Sequence, residues 1–224
     1  MGSSLGTMLP VSLRNLTPRR LRWVKASLFV LATLPFVRLF IAAFTDQLGA
    51  NPVEFITRNT GDWTLYLLCA ALAVTPLRKL TGLVWVARLR RMVGLFGFFY
   101  AALHFTTFLW FDHAFDLGSM WRDVIKRPFI TVGFAAFVML IPLALTSSNA
   151  AVRWMGSRGW QRLHRLVYAI AICGVVHYWW LVKKDLTQPL IYASVLAILL
   201  GFRIVFFLSA TLKSSRDPLT KARR

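Results

Sequence analysis

The chain has 224 residues, of which 57% are apolar and 16% charged, and its formal net charge is +19. A soluble domain carries about 45–50% apolar and roughly 25% charged residues, so an ordinary soluble domain is excluded and an integral membrane protein is expected. The bases gather in loops between apolar runs, which assigns them to topology and anionic lipid rather than to nucleic acid.

A membrane-crossing helix needs about 20 mostly apolar residues. Six such spans are read in chain order: 24–44, 62–78, 92–111, 128–147, 164–182 and 189–210. The expected fold is therefore an all-α membrane protein, a six-helix transmembrane bundle. Pro35, Pro76 and Pro142 fall in or near span ends, where membranes tolerate kinks. Leu13–Lys25 is basic and runs into the first span without a small-residue cleavage site, so no cleavable leader is expected.

Loop charge sets the direction. Arg14, Arg19, Arg20, Arg22 and Lys25 precede the first span. Arg78, Lys79, Arg88, Arg90 and Arg91 separate the second from the third, and Arg153, Arg158 and Arg162 the fourth from the fifth. Lys213, Arg216, Lys221, Arg223 and Arg224 follow the last. Residues 45–61 and 112–127 are mixed in sign. The positive-inside rule then places both termini in the cytoplasm. The organisation expected is a cytoplasmic segment over 1–23, one transmembrane domain over 24–210 and a basic cytoplasmic tail over 211–224. Tryptophans near both ends of the spans fit two aromatic belts.

Cys69 and Cys173 both lie in apolar runs and are expected as packing residues, not a disulfide. There is no CxxCH motif for covalent haem attachment. No zinc-type cluster, Walker loop or GxGxxG fingerprint is present.

Three of the four histidines, His104, His164 and His177, fall inside the apolar spans. An imidazole in hydrocarbon is costly and marks a function, and imidazole is a common axial ligand of haem iron. His104 lies roughly 18 Å into the third span from its cytoplasmic end, at 1.5 Å per residue. His177 lies at a similar depth in the fifth. Two imidazoles at one level on two helices are what bis-histidine ligation in a bundle requires. His164 lies roughly 20 Å from that level, near the cytoplasmic face. His113, beside Asp112, is expected as an exposed loop histidine. Gly94, Gly97 and Ala101 share a helix face with His104 and would leave room for a flat macrocycle; close helix packing is the alternative use of such a stripe. Arg38 and Arg203 lie within spans and need partners. Haem propionates would serve, as would snorkelling to the headgroups.

Trp160-Gln-Arg-Leu-His164-Arg-Leu-Val-Tyr168, with His177 thirteen residues past His164, resembles the ferric reductase-like transmembrane domain. Arg90-Arg-Met-Val-Gly94-Leu-Phe-Gly-Phe-Phe-Tyr100-Ala-Ala-Leu-His104 and Thr75-Pro-Leu-Arg78 narrow the resemblance. They point to the haem-binding membrane subunits of bacterial periplasmic methionine sulfoxide reductase systems. The resemblance spans nearly all six helices. It implies a b-type cytochrome of the bacterial inner membrane, holding one or two haems b, with FMN associated in some members. It implies electrons arriving from the quinone pool or a cytoplasmic flavin reductase. They would leave to a periplasmic molybdopterin enzyme that reduces methionine sulfoxide. His104, His177 and His164 would be the iron ligands, with no catalytic residue of the chain's own. The two-haem relatives carry a second histidine in the third span. Here that neighbourhood holds Arg90 and Arg91, which leaves His164 without an imidazole partner. A stand-alone ferric reductase and a haem-free transporter or proton conductor are the competing readings.

Overall fold

The computed structural model describes residues 14–182 and 184–216. Residues 1–13, Lys183 and the tail from residue 217, including Lys221, Arg223 and Arg224, lie outside the described residues. Among those described, helices account for all the regular structure. In chain order they are α1 (Pro18–Phe44), α2 (Pro52–Thr81), α3 (Arg90–Thr107), α4 (Leu117–Lys126), α5 (Pro128–Leu145), α6 (Asn149–His164), α7 (Leu166–Leu181) and α8 (Thr187–Arg216). A short 3-10 turn, Val84–Arg88, precedes α3, and a π turn, Phe108–Asp112, follows it.

Local chemistry sets the boundaries. Thr17 and Asn51 accept the N–H of Arg20 and Glu54, and proline opens α1, α2 and α5, where a missing N–H costs nothing. Gly82 ends α2 in the left-handed region at φ 74°, returning its N–H to the Arg78 carbonyl. Arg78 and Lys79 stand in that last turn, where the helix dipole favours cations.

Among the described residues, four helical stretches are long and apolar enough to cross a membrane: Pro18–Phe44, Arg90–Asp112, Pro128–Leu145 and Thr187–Ser209. Their outward faces carry large apolar side chains, such as Phe40, Phe44, Ile198 and Phe207. Lipid, not water, suits such a surface. α2 and α7 are different: α7 is short, at 16 residues, and α2 is interior. α2 joins three apolar clusters: Leu65 and Leu72 pack with α7 and α8, Leu68 with α3, α5 and α7, and Leu67 and Ala71 with α3. Its first end carries Glu54 and Arg58, both exposed, and the half-buried Asp62.

The backbone beside Pro35 in α1 is bonded from outside the helix. Tyr100 on α3 is fully buried; its hydroxyl donates to the Ala32 carbonyl (2.7 Å) and accepts the Phe36 N–H (3.1 Å). Ala32 and Phe36 are an ordinary i, i+4 pair, so the phenol stands inside the helix's own ladder.

Two stretches read as loops are helical. Residues 112–127 contain α4, with Asp116 as its cap, Met120 and Val124 buried, and Leu117, Trp121 and Ile125 exposed. A search for long apolar spans passes over so short an amphipathic helix. The basic segment carrying Arg153, Arg158 and Arg162 forms α6, capped by Ser148 and bent at Gly156 (φ 70°). His164 is therefore the last residue of α6, not the first of the next span. His113 is buried, not exposed: its Nδ1 is 2.9 Å from the Ser119 hydroxyl.

Candidate haem pocket

A cavity of about 640 Å³ lies among α2, α3, α5 and α7. His104 enters it from the last turn of α3 and His177 from α7. Their ring centroids are 6.1 Å apart and their planes lie at 80°. Nδ1 of His104 is 2.9 Å from the Thr57 carbonyl, and Nδ1 of His177 is 2.7 Å from that of Phe129. A carbonyl only accepts, so each Nδ1 donates and each Nε2 keeps its lone pair. Such an outer hydrogen bond orients an imidazole that ligates a metal.

The two contacts share one construction. Each carbonyl belongs to residue i of a neighbouring helix, and residue i+4 is glycine: Thr57 with Gly61, Phe129 with Gly133. A β-carbon on Gly61 would lie 3.2 Å from Cε1 and Nδ1 of His104, and one on Gly133 would lie 2.6 Å from Nδ1 of His177. The i+4 side chain flanks the i carbonyl on a helix. Its absence lets the imidazole reach a carbonyl that the helix ladder already uses, through the oxygen's second lone pair.

The cavity is apolar in depth and charged at one rim. Leu65, Leu68, Ala101, Phe105, Phe137 and Leu140 line the interior, and Arg58, Asp62, Asp112, Asp123 and Arg127 the rim. Phe105 and Phe137 stack at 4.7 Å and 18°. The volume suits a large ligand, since such pockets span about 300–1,000 Å³. Among the described residues, no group of three or more His, Cys, Asp or Glu side chains could hold a bare ion. Two opposed imidazoles suit a metal that brings its own equatorial ligands. Two metal–nitrogen bonds of roughly 2 Å each, plus roughly 1 Å from each nitrogen to its ring centre, span about 6 Å, which the observed separation matches. The residues fit a haem.

The other residues singled out in the sequence stand elsewhere. His164 does not line this cavity: its Nε2 is 3.1 Å from the Thr146 hydroxyl, and its ring stacks on Trp160 at 3.9 Å. The Thr146 hydroxyl also donates to the Pro142 carbonyl, so Nε2 of His164 is the donor of the pair. Arg203 donates to the Leu72 carbonyl (2.8 Å) and to the Tyr168 hydroxyl, and Arg38 is exposed on α1. Neither arginine lines the cavity. Gly97 is buried against Leu67 and Leu68, and a β-carbon on Gly94 would meet nothing within 4 Å. Of the expected stripe, only Ala101 and His104 border the cavity. α3 touches α2 at Gly97 and again at His104, whose ring meets Gly61 and the Thr57 carbonyl, so one stripe serves helix contact first and the pocket second.

Gly61 and Gly133 escape a reading of the sequence, because each acts on an imidazole from another helix. The Thr57 and Phe129 carbonyls escape it too, since every residue has one.

The ferric reductase like transmembrane component family matches residues 60–175. Curated relatives named protein-methionine-sulfoxide reductase heme-binding subunit MsrQ match over most of their length. The relative from Herminiimonas arsenicoxydans is 61% identical over 190 residues, covering 84% of this chain and 87% of the relative. That from Ralstonia nicotianae is 56% identical over 191 residues, covering 84% and 88%. That from Azospira oryzae is 56% identical over 190 residues, covering 84% and 82%.

Proposed function

This chain belongs to the MsrQ family of haem-binding subunits of protein-methionine-sulfoxide reductases, and we propose that it carries electrons across the bacterial inner membrane through a haem b held between His104 and His177. The observation that carries this reading is the pair of imidazoles facing one another across the cavity, each with Nε2 free and Nδ1 anchored.

The chain's residues have separate tasks. His104 and His177 would hold the haem iron through Nε2, and Thr57 and Phe129 fix their tautomers. Leu65, Leu68, Phe105, Phe137 and Leu140 keep water from the centre, which holds the electron path in a medium of low dielectric. Haem iron supplies one-electron chemistry by cycling between ferric and ferrous states. No residue performs bond chemistry on a substrate.

In this reading α1, α2, α3, α5, α7 and α8 all cross the membrane, forming one domain over 24–210. α2, at 30 residues, is long enough to cross with its charged first turns left outside the apolar layer. The bases of 78–91 and those of α6 mark the cytoplasmic side with both termini. The cavity rim and α4 then face the periplasm. His164 stands toward the cytoplasmic side, engaged with Thr146 and Trp160. It is a ligand for a second haem only where it leaves those partners. Electrons enter on that side from quinol or a flavin reductase, with FMN as a carrier. They leave to a periplasmic molybdopterin-containing methionine sulfoxide reductase. The relatives' names support the sulfoxide reductase partner; the donors, FMN and the molybdopterin rest on the family resemblance alone.

Pyridine haemochrome on the purified chain tests the reading. The wild type should hold haem b with a low-spin spectrum. His104→Ala and His177→Ala should each abolish that spectrum, whereas His164→Ala should retain it. A full low-spin spectrum in either of the first two variants overturns the pairing.

A further inference from the structure

The open end of the cavity holds two arginines that the function above does not use. Arg58 follows Thr57, whose carbonyl anchors His104; Arg127 stands two residues before Phe129, whose carbonyl anchors His177. Each imidazole's anchoring segment thus brings one guanidinium to the rim, one at the start of α2 and one immediately before α5. The far end is closed by Leu140 and Ile170, both buried. Arg58 and Arg127 are more than half exposed.

A haem is asymmetric: one edge is apolar and the other bears two propionates. We propose that Arg58 and Arg127 hold the two propionates, so that the porphyrin sits with its carboxylate edge at the rim. This rests on the reading that the cavity takes haem between His104 and His177. Both arginines are now in i, i+4 pairs, Arg58 with the exposed Glu54 at 2.6 Å and Arg127 with the half-buried Asp123 at 3.5 Å. Such pairs contribute little and are readily exchanged. A guanidinium has five N–H donors, so each can keep its pair and still bond a propionate. The rim's other charges are Asp62, Asp112 and Asp123. They would repel propionates, so these two arginines offset the unfavourable field. Arg38 and Arg203, the intramembrane arginines of the sequence, do not border the cavity.

Propionate chemistry gives a direct test. The full chain, purified free of haem in detergent, is titrated with haem and with haem dimethyl ester, whose propionates are blocked. Wild type, Arg58→Gln, Arg127→Gln and the corresponding Lys variants are compared. Wild type should hold the ester about a hundredfold more weakly than haem, the order of two charge-assisted hydrogen bonds. Each Gln variant should lose about tenfold toward haem, the order of one such bond, while losing little further toward the ester. Lys should recover part of the loss, and the Soret position should stay that of bis-histidine ligation. The haem midpoint potential should fall in the Gln variants, because removing a cation favours the more positive ferric state. Equal weakening of both porphyrins by the Gln variants, or no difference between haem and ester in wild type, overturns the assignment while leaving the histidine pairing intact. A wild type that binds neither porphyrin overturns the haem reading itself.

Discussion

Gly133 and His177 approach so closely that a β-carbon on the glycine would sit 2.6 Å from Nδ1 and 2.8 Å from Cε1 of the imidazole. The same imidazole donates to the carbonyl of Phe129, one helical turn before Gly133. α5 thus both receives the ring and leaves the space in which it lies. Gly61 and His104 repeat the relationship on the other side of the cavity, with 3.2 Å in place of 2.6 Å.

Gly133→Ala should therefore displace His177. The ring is fixed by its own hydrogen bond, so overpacking should cost about 1–3 kcal/mol of stability and shift the haem spectrum away from low spin. Gly61→Ala should act in the same direction but more weakly. Gly94→Ala is the control: with open space around it, alanine should leave the spectrum unchanged and stabilise α3 by about 0.5–1 kcal/mol. Absorption spectra and thermal melts in detergent check all three. An unperturbed spectrum in Gly133→Ala would show that the ring has another way to lie.

Tyr100→Phe should destabilise the chain without touching the cavity. It removes the hydroxyl that joins the Phe36 N–H to the Ala32 carbonyl. Two buried backbone groups then lose their partner, at about 1–3 kcal/mol for a buried group left unsatisfied. A lower melting temperature with an unchanged haem spectrum is expected. An unchanged melting temperature would mean that α1 recloses its own ladder beside Pro35.

The start of α4 should weaken in acid. Backbone N–H groups of Ser119 and Gly118 bond the Asp116 carboxylate and hold it below the usual carboxylate range. A group whose folded value is depressed stabilises above its unfolded value, about 3.9, and that contribution is lost as pH falls through the lower folded value. Hydrogen exchange at residues 118–121 should accelerate over that acid window. Asp116→Asn keeps a capping oxygen without a titrating carboxyl, so its exchange should lack this pH step. An identical acid profile in both proteins would rule out Asp116 as the source.

Some of this was legible in the chain before any coordinates. The apolar runs marked the four helical stretches that, among the described residues, are long and apolar enough to cross a membrane, because a span about 20 residues long leaves its mark in composition alone. α4 was not legible as a helix: a ten-residue element with Leu117, Met120, Trp121, Val124 and Ile125 on one apolar face is too short for that signal. Nor was α6, whose arginines read as a cytoplasmic loop. Gly94 and Gly97 stood out because they share a face with His104, yet the glycines that crowd the imidazoles are Gly61 and Gly133, on other helices.

What the linear chain determined by itself was which residues are too polar for their surroundings: histidines and arginines in hydrocarbon advertise themselves because burying them is costly. Only the tertiary structure decided which of them meet. It set His104 opposite His177, gave His164 to Thr146 and Trp160, took Arg203 to Tyr168, and brought Arg58 and Arg127 to one rim. The reason is physical: the cost of burial belongs to a single residue, whereas a pocket belongs to the gap between helices, and where they part depends on side chains far apart in the chain.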